Sequence, residues 1–237
     1  MFESVENGTA QRGIVPVENS LAGSIHRNYD LLLRHDLTIV GEVQSRVAHQ
    51  LIVLPGVVLA DVRRVYSHPQ ALAQCEGNLR QLLPEAEHVP TYDTAGSAKM
   101  LLEQGIRDGA ALASRRAADI YRMTVLRAGM EDSDENYTRF LILAREPSVP
   151  DGPAKTSIVF ATRNVPGALF KCLAVFALRD IDLMKIESRP LRDKRWEYLF
   201  YIDFAGGVHE THCLNALNHL QELTSFFRVL GSYPRGA

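Results

Sequence analysis

Apolar residues along the chain alternate between strand-like and helical spacing. Short apolar or period-two runs bounded by turn residues predict a series of strands before residue 146. These are Gly13–Val17, Leu37–Gln44, Leu51–Leu54, Arg64–Tyr66, His88–Pro90, Ala110–Ala113 and Thr138–Ala144. Helices are predicted between them, at Ser24–Arg34, Pro69–Leu82, Thr94–Gln104 and Ser114–Tyr121. Strands and helices in alternation indicate an α/β domain.

After residue 153 the pattern changes to strand–helix–strand–strand–helix–strand. The strands are Thr156–Ala161, Leu183–Ser188, Trp196–Phe204 and Phe226–Ser232. A helical run from Leu169 to Ala177 and a second helix over Glu210–Leu223 separate them. Within the third strand, Tyr198, Phe200, Ile202 and Phe204 fall on one face. The order βαββαβ predicts a small α+β domain.

A proline-rich segment separates these two regions. Residues 146–153 read Glu-Pro-Ser-Val-Pro-Asp-Gly-Pro, between two apolar segments. Proline and glycine interrupt regular structure, so this composition is typical of a linker. We therefore predict two domains, residues 1–146 and residues 154–237.

Composition narrows the class of protein. The chain has 237 residues, 46% of them hydrophobic, and 26 basic residues against 28 acidic ones give a net charge of −2. No broad basic field is available for nucleic acid or an anionic membrane. No apolar run is long enough to span a bilayer, and the first residues lack a signal-peptide pattern, so we expect a cytoplasmic protein. Three widely spaced cysteines without a Cys-x-x-Cys pair predict buried free thiols.

Polar clusters lie at the ends of several predicted strands, where α/β folds bind ligands. They are Val15–Ser20, Tyr66–Cys75, Thr91–Ala98 and Glu135–Phe140. Each also has a purely structural interpretation. Asn19, Ser20 and Ser67 are good helix caps, and either Asp93 or Thr94 is suited to cap the helix that follows.

A turn in the second domain has the features of an anion site. Pro166 and Gly167 allow close backbone approach at a strand-to-helix turn, and the first helical turn offers free N–H groups to a carboxylate. Downstream, Glu187 and Arg189 lie at the end of a predicted strand. An isolated pair of this kind is usually a solvated strand end.

These motifs together resemble prephenate dehydratases along nearly the whole chain. Gly13–Ser20, Ser67–Gln70 and Thr138–Phe140 resemble the catalytic domain of that family, and Gly167–Leu169 with Glu187–Pro190 resemble its ACT domain. The resemblance implies a two-lobed catalytic domain like the type II periplasmic binding proteins, with its active site in the cleft, followed by a ferredoxin-like ACT domain. It also implies a homodimer or homotetramer.

The implied reaction converts prephenate to phenylpyruvate, water and carbon dioxide in phenylalanine biosynthesis, with phenylalanine as effector and no cofactor. The resemblance makes Thr138 the catalytic residue. It implies substrate-binding roles for Glu18, Asn19, Ser20, Ser67, Gln74, Asp93 and Arg139. It implies effector-binding roles for Asn164, Gly167, Ala168, Leu169, Glu187, Ser188, Arg189 and Pro190.

The chemistry assigns provisional roles within this set. A threonine hydroxyl is too weak an acid to supply a free proton, so Thr138 acts by hydrogen bonding or by relaying a proton. Glu18 and Asp93 are the carboxyl candidates. Arg139 is either a carboxylate partner or a structural residue. No metal is expected, because the spacing of His209 and His212 is that of surface histidines near a helix start, and His219 adds no well-spaced ligand.

One departure from the family pattern is that the chain begins beyond the glycine-rich loop found near the start of family members. We therefore expect an N-terminally truncated catalytic domain. Two alternatives stay open: an arogenate dehydratase, suggested by Thr94–Met100, or a catalytically dead phenylalanine-binding protein. A plastid location would require a transit peptide that is missing from this chain.

Overall fold

The computed structural model describes residues 1–191 and 198–236. The chain forms two compact units, one from residues 1–45 with 139–237 and the other from residues 46–138. The helices are α1 (Phe2–Glu6), α2 (His26–Arg34), α3 (Pro69–Gln74), α4 (Glu76–Leu82), α5 (Thr94–Gln104), α6 (Arg115–Ile120), α7 (Ala168–Ala177) and α8 (Thr211–Leu223). A short 3₁₀ helix spans Leu59–Asp61.

Thirteen strands are present in the described residues. They are β1 (Gly13–Asn19), β2 (Gly23–Ser24), β3 (Thr38–Arg46), β4 (Gln50–Val53), β5 (Arg64–Ser67), β6 (Glu87–Pro90), β7 (Gly109–Ala113), β8 (Thr124–Ala128), β9 (Tyr137–Ala144), β10 (Ala154–Ala161), β11 (Leu183–Pro190), β12 (Tyr198–Ala205) and β13 (Phe226–Pro234). Every predicted strand is confirmed. The predicted start of the third strand of the second domain, at Trp196, lies outside the described residues.

Two local predictions were wrong, and one strand was missed. The single helix predicted over Pro69–Leu82 is two helices, because Cys75 leaves the helical conformation at φ −118° and ψ 8°. Helix α2 begins at His26, since Gly23 and Ser24 pair with β1 instead of starting the helix. Strand β8 was missed, and it pairs antiparallel with β4.

The unit of residues 46–138 contains a mixed sheet with the order β6-β5-β7-β4-β8. Strands β5, β6 and β7 are parallel, and β4 is antiparallel to its neighbours. Strand β7 is buried throughout, as expected for a central strand with both faces covered. The parallel strands end at Ser67, Pro90 and Ala113, which places the polar segments that follow them at one edge of the sheet.

The other unit contains two sheets, with the orders β2-β1-β9-β3 and β11-β12-β10-β13. The second is the antiparallel sheet of a ferredoxin-like βαββαβ fold, as predicted for the ACT domain. Helices α7 and α8 pack on one face, where Phe176 and Phe204 meet with ring centroids 5.3 Å apart.

The opposite face of this sheet is also buried. Val159, Leu199 and Tyr201 share a core with Val15 and Leu141 of the first sheet. Consequently β10 is buried at every position, which alternation of the apolar residues alone did not predict.

A glycine permits a close contact between the two sheets. A Cβ atom on Gly231 of β13 would overlap the carbonyl oxygen of Ile39 in β3. The pairing of β13 with β10 shifts register beside this point, between Ser157 and Ile158. Gly231 therefore sets how closely the strands approach.

The three cysteines are free and buried, as predicted. Burial raises the pKa of the Cys75 thiol to about 12, with a contribution from the nearby Asp132 and Glu131 carboxylates. Within the described part of the chain, no helix has the length and apolar character needed to cross a membrane.

Candidate functional site

The Glu18 carboxylate lies near the end of β1 and faces two cations. Its Oε2 atom is 2.7 Å from Nζ of Lys185 and 3.9 Å from Nη1 of Arg139. The Glu18 side chain is 37% exposed, whereas both cations are largely buried. Glu18 is therefore a partly exposed carboxylate that faces two largely buried cations.

Asn19 shapes the turn that follows. Its Oδ1 atom accepts hydrogen bonds from the backbone N–H groups of Leu21, at 3.1 Å, and Ala22, at 2.9 Å. The capping interpretation of Asn19 and Ser20 was wrong, because α2 starts only at His26. Asn19 instead closes a turn between β1 and β2, and it leaves Ser20 exposed.

Arg139 follows Thr138 in β9, and carboxylates already pair with its guanidinium. Nη1 is 2.6 Å from Oδ2 of Asp203, Nε donates to Oε2 of Glu42 at 2.8 Å, and Nη2 donates to the Tyr233 hydroxyl at 3.2 Å. Burial is the largest single influence and opposes the charged form of Arg139, but the contributions of Asp203, Tyr233 and Glu42 together outweigh it and raise the pKa. These contacts favour the structural interpretation. A substrate-binding role for Arg139 stays a prediction.

Glu42 anchors the same cluster and is fully buried. Burial alone would raise its pKa, but the hydrogen bond from Lys155 and the charge of Arg139 lower the pKa below its usual range. Three ion pairs hold the strands together. Glu42 pairs with Lys155 at 2.5 Å and with Arg139 at 2.8 Å, and Arg139 pairs with Asp203 at 2.6 Å.

In the other unit, Ser67 ends β5 and is fully buried. Its hydroxyl donates to the carbonyl oxygen of Leu112 at 2.7 Å. The helix cap predicted at Ser67 is one residue further along, because Pro69 occupies the first helical position and makes His68 the cap. Nδ1 of His68 accepts from the N–H of Gln70 at 3.2 Å, so this ring nitrogen has a structural partner.

Asp93 caps α5, which settles the choice between Asp93 and Thr94. Its side chain accepts from the N–H of Gly96. The neighbouring Thr91 and Ser97 hydroxyls are hydrogen-bonded to each other. The substrate-binding role of Asp93 is an independent prediction, since one carboxylate oxygen bonded to a helix start leaves the other available.

A buried polar cluster surrounds Gln74, and two of its members were missed from sequence. Oε1 of Gln74 accepts from Nδ2 of Asn136 at 2.9 Å and lies 3.3 Å from Nε2 of His49. The backbone of His49 is fixed as well, since its N–H donates to Glu131 at 2.8 Å. His49 is the one histidine in the buried class among the described residues. The signal for Asn136 was its position two residues before Thr138.

The geometry around Gln74 orients its amide. Because Oε1 accepts from Asn136 and lies beside Nε2 of His49, the NH₂ end of the side chain faces the other way. Gln74 is thereby set up as a hydrogen-bond donor, which suits a carboxylate or carbonyl ligand. Thr138 itself is the second residue of β9 and is half-buried.

The predicted effector turn lines a cavity of about 310 Å³. Asn164, Gly167, Ala168 and Leu169 all contribute to its wall, together with Phe170. Gly167 has φ +77°, a left-handed conformation that favours glycine, and a Cβ atom there would meet no protein atom within 4 Å. The space beside this glycine is open to a ligand.

The second effector motif has different neighbours within one chain. Oε2 of Glu187 accepts from the Ser24 hydroxyl at 2.7 Å, and Oε1 is 3.1 Å from Nε2 of His26. Arg189 donates to Asp30 at 3.0 Å. Residues 187–190 do not line the cavity described above, so the two motifs are not brought together in a single copy.

Glu210, His212 and Cys213 form a compact group at the start of α8, with potential ligand atoms within 4.8 Å of one another. Burial and the Glu210 charge raise the pKa of the Cys213 thiol to about 11, which opposes metal binding through a thiolate. The positive end of the helix dipole also disfavours a cation. His209 and His212 are exposed as predicted, while His219 is half-buried.

The fold defines a two-unit α/β protein that includes a ferredoxin-like βαββαβ sheet with two helices. Residues 1–148 match the family model "Prephenate dehydratase". The chain is 52% identical over 244 residues to arogenate dehydratase/prephenate dehydratase 2, chloroplastic, of Arabidopsis thaliana, covering 98% of this chain and 64% of that protein. The chain therefore belongs to the prephenate dehydratase family, and it spans less than two thirds of this relative's length.

Two solved structures resemble this chain over nearly its whole length. The prephenate dehydratase of Arthrobacter aurescens in complex with L-Phe matches with a TM-score of 0.90 and 34% identity, over 98% of this chain and 78% of that one. A structure described as GqqA, a novel type of quorum quenching acylases, matches with a TM-score of 0.89 and 35% identity, over 98% of this chain and 85% of that one.

Proposed function

We propose that this protein catalyses the decarboxylating dehydration of prephenate, giving phenylpyruvate, carbon dioxide and water. Family membership supports the reaction class. The observation that carries this proposal is the Gln74–Asn136 hydrogen bond, which orients the Gln74 amide as a donor. Asn136 precedes Thr138 by two residues in the sequence. A hydroxyl and an oriented amide are what a substrate with carboxylates and a poor leaving group requires.

The electron flow explains the demand on Thr138. The bond from the ring to its carboxylate breaks as carbon dioxide leaves, that electron pair forms a new ring double bond, and one existing ring double bond shifts toward the carbon that bears the hydroxyl. The carbon–oxygen bond on the opposite side breaks, and the departing hydroxide takes a proton to become water. Aromatisation drives both steps, so the protein must stabilise the leaving oxygen. We assign that hydrogen bond to Thr138.

Neutral hydrogen-bond donors are the better candidates for binding the substrate carboxylates, because the nearby arginine is already paired. Arg139 is already paired with Asp203 and Glu42, so it does not bring an unpaired positive charge. Gln74, whose NH₂ group faces away from Asn136 and His49, is better suited to receive a carboxylate. Glu18, Asn19, Ser20, Ser67 and Asp93 remain substrate-binding candidates on the family resemblance.

The test compares purified wild type with Thr138→Ala and an exposed control, Thr211→Ala. We expect Thr138→Ala to lower the rate of phenylpyruvate release by about 10²–10³-fold, the usual loss for one donor to a developing oxyanion. The control should retain wild-type turnover, and all three proteins should melt at similar temperatures by circular dichroism. Undiminished turnover in Thr138→Ala would remove it from the mechanism.

Arogenate is the alternative substrate, and the Arabidopsis relative's name includes both activities. Prephenate and arogenate differ by a keto group against an amino group in the side chain. We propose prephenate as the main substrate, and the ratio of kcat/KM for the two compounds decides between them. The cytoplasmic location stays a prediction, since that relative is named as chloroplastic.

We also propose phenylalanine as an effector that binds at the turn formed by residues 162–170. The cavity of about 310 Å³ is of a size that holds small ligands, and the first turn of α7 belongs to its wall. Phe170 is 75% exposed and Val165 is 56% exposed beside it. Since exposed apolar side chains of this kind mark interaction surfaces, we propose that a second copy completes the site, with Glu187–Pro190 supplied across a homodimer.

Calorimetry with L-phenylalanine on the full chain tests the effector site. Gly167→Val should abolish the binding heat, because a β-branched side chain projects into the open space and is strained at φ +77°. Gly129→Val is the matched control, since Gly129 has φ +65° and equally open surroundings away from the cavity. Equal heats from wild type and Gly167→Val would exclude this turn as the binding site.

A further inference from the structure

Lys185 in strand β11 places a buried ammonium group beside the Glu18 carboxylate. The Lys185 ammonium is 2.7 Å from Oε2 of Glu18, 3.4 Å from the Ser24 hydroxyl and 5.3 Å from the centre of the Tyr29 ring. Its side chain is only 11% exposed. An ammonium has three N–H donors, and these neighbours provide two acceptor oxygens and an aromatic face. Lys185 is therefore held in one position.

The Ser24 hydroxyl connects Lys185 to the effector motif. Ser24 donates its single proton to Oε2 of Glu187 at 2.7 Å, and so its lone pairs are left to accept from Lys185. The hydrogen bonds run in one direction, from Lys185 to Ser24 to Glu187. A change in the partners of Glu187 would therefore alter an acceptor of Lys185.

No other described cation approaches Glu18 as closely. Nη1 of Arg139 is 3.9 Å away, and it makes a 2.6 Å contact with Asp203 instead. Lys185 pairs in register with Asp203 across β11 and β12, so the carboxylate that Arg139 contacts lies on the strand next to Lys185. Without Lys185, the half-exposed Glu18 side chain would keep only the longer contact and would be free to turn toward solvent.

We propose that Lys185 is a positioning residue for the reaction. It fixes the Glu18 carboxylate from the regulatory strand and, through Ser24, makes that carboxylate sensitive to what Glu187 binds. The proposal rests on the proposed function, in which Glu18 contacts the substrate. It assigns to a residue outside the catalytic segment the task of keeping a substrate contact in place.

Kinetics on the full chain test the positioning role with Lys185→Met, Lys185→Arg, Glu18→Gln and the Lys185→Met/Glu18→Gln double variant. Lys185→Met should lower kcat/KM for prephenate about tenfold, the size expected for one charge-assisted hydrogen bond. Lys185→Arg should recover part of the loss. The exposed Lys99→Met is the control and should match wild type.

Two features separate positioning from a purely structural effect. Lys185→Met should divide its loss between kcat and KM in the same proportion as Glu18→Gln. In the Glu18→Gln background, Lys185→Met should cause no further loss, because the residue acts through Glu18. Independent, multiplicative losses would overturn the proposal.

A separate experiment tests the link from Lys185 through Ser24 to Glu187. Phenylalanine should change kcat/KM of the wild type, and Ser24→Ala should bring the ratio of kcat/KM without and with phenylalanine close to one. An unchanged ratio in Ser24→Ala would overturn the coupling. A wild type that turns over neither prephenate nor arogenate would overturn the proposed function itself, whereas an active wild type with an unaffected Lys185→Met variant would overturn only the role of Lys185.

Discussion

The buried carboxylate of Glu42 provides a direct test of the charge cluster behind the candidate site. The substitution Glu42→Gln removes one negative charge and keeps the side-chain volume. Oε1 of Glu42 is 2.5 Å from Nζ of Lys155, and Oε2 accepts from Nε of Arg139 at 2.8 Å. The backbone N–H of Gly236 also donates to Oε1, at 3.1 Å. The variant leaves the buried Lys155 and Arg139 without the Glu42 charge, while Arg139 keeps its 2.6 Å contact with Asp203.

Breaking a buried ion pair on one side typically costs about 3–5 kcal/mol. We expect a loss of that size in the free energy of unfolding at neutral pH. For a protein of this length it corresponds to a fall in Tm of roughly 6–20 °C. The acceptor replacing the carboxylate is a neutral amide oxygen, and its NH₂ group faces donors with which it cannot bond.

The pH dependence of this stability difference shows whether the charge of Glu42 is its cause. The pKa of Glu42 is lowered in the folded protein, so its stabilising contribution is complete above its unfolded pKa of about 4.3 and is lost as the pH falls through the lower folded value. The difference in stability between wild type and Glu42→Gln should therefore be constant above about pH 5 and shrink below about pH 4.

Urea unfolding followed by circular dichroism measures these differences. Glu103→Gln is the control, because Glu103 is exposed and its nearest cation, Lys99, is 3.6 Å away; it should change stability by less than about 0.5 kcal/mol. A Glu42→Gln variant as stable as this control, or a difference from wild type that does not vary between pH 7 and pH 3, would refute the reasoning.

Three further outcomes follow from the packing and hydrogen bonding. Gly231→Ala should lower the unfolding free energy by about 1–3 kcal/mol in urea titrations, since its Cβ overlaps the Ile39 backbone; wild-type stability would show that the sheets can separate at no cost. Asn136→Leu should reduce kcat/KM about tenfold by removing a donor to Gln74, and an unaffected rate would show that this amide needs no orientation. The cysteine thiols should react with a disulfide reagent only after unfolding, and rapid labelling of folded protein would contradict their burial.

Local signals predicted the elements well where caps and turns are encoded by neighbouring residues. Helix α5 has the predicted bounds because Asp93 caps its start and Gly105, at φ +64°, ends it. The missed strand β8 is mostly part-exposed or exposed, and its identity depends on pairing with β4. A segment of that kind has little period-two signal of its own.

Long-range partners were beyond the reach of the sequence. Lys185 and Glu18 are 167 residues apart, and no spacing rule connects them. The cluster of His49, Gln74 and Asn136 likewise comes from three separate segments. The motifs supplied candidate site residues, but the charges that neutralise or orient these residues depend on how the strands are assembled.

The two buried faces of β10 have a consequence for protein engineering. Residues 154–237 resemble a separate ACT domain in sequence, yet Val159, Leu199 and Tyr201 share a core with Val15 and Leu141. A chimera that transplants this segment alone onto another enzyme would expose an apolar sheet face to water and favour aggregation. A working graft must either bring residues 1–45 and 139–153 with it or replace the outward apolar positions with polar ones.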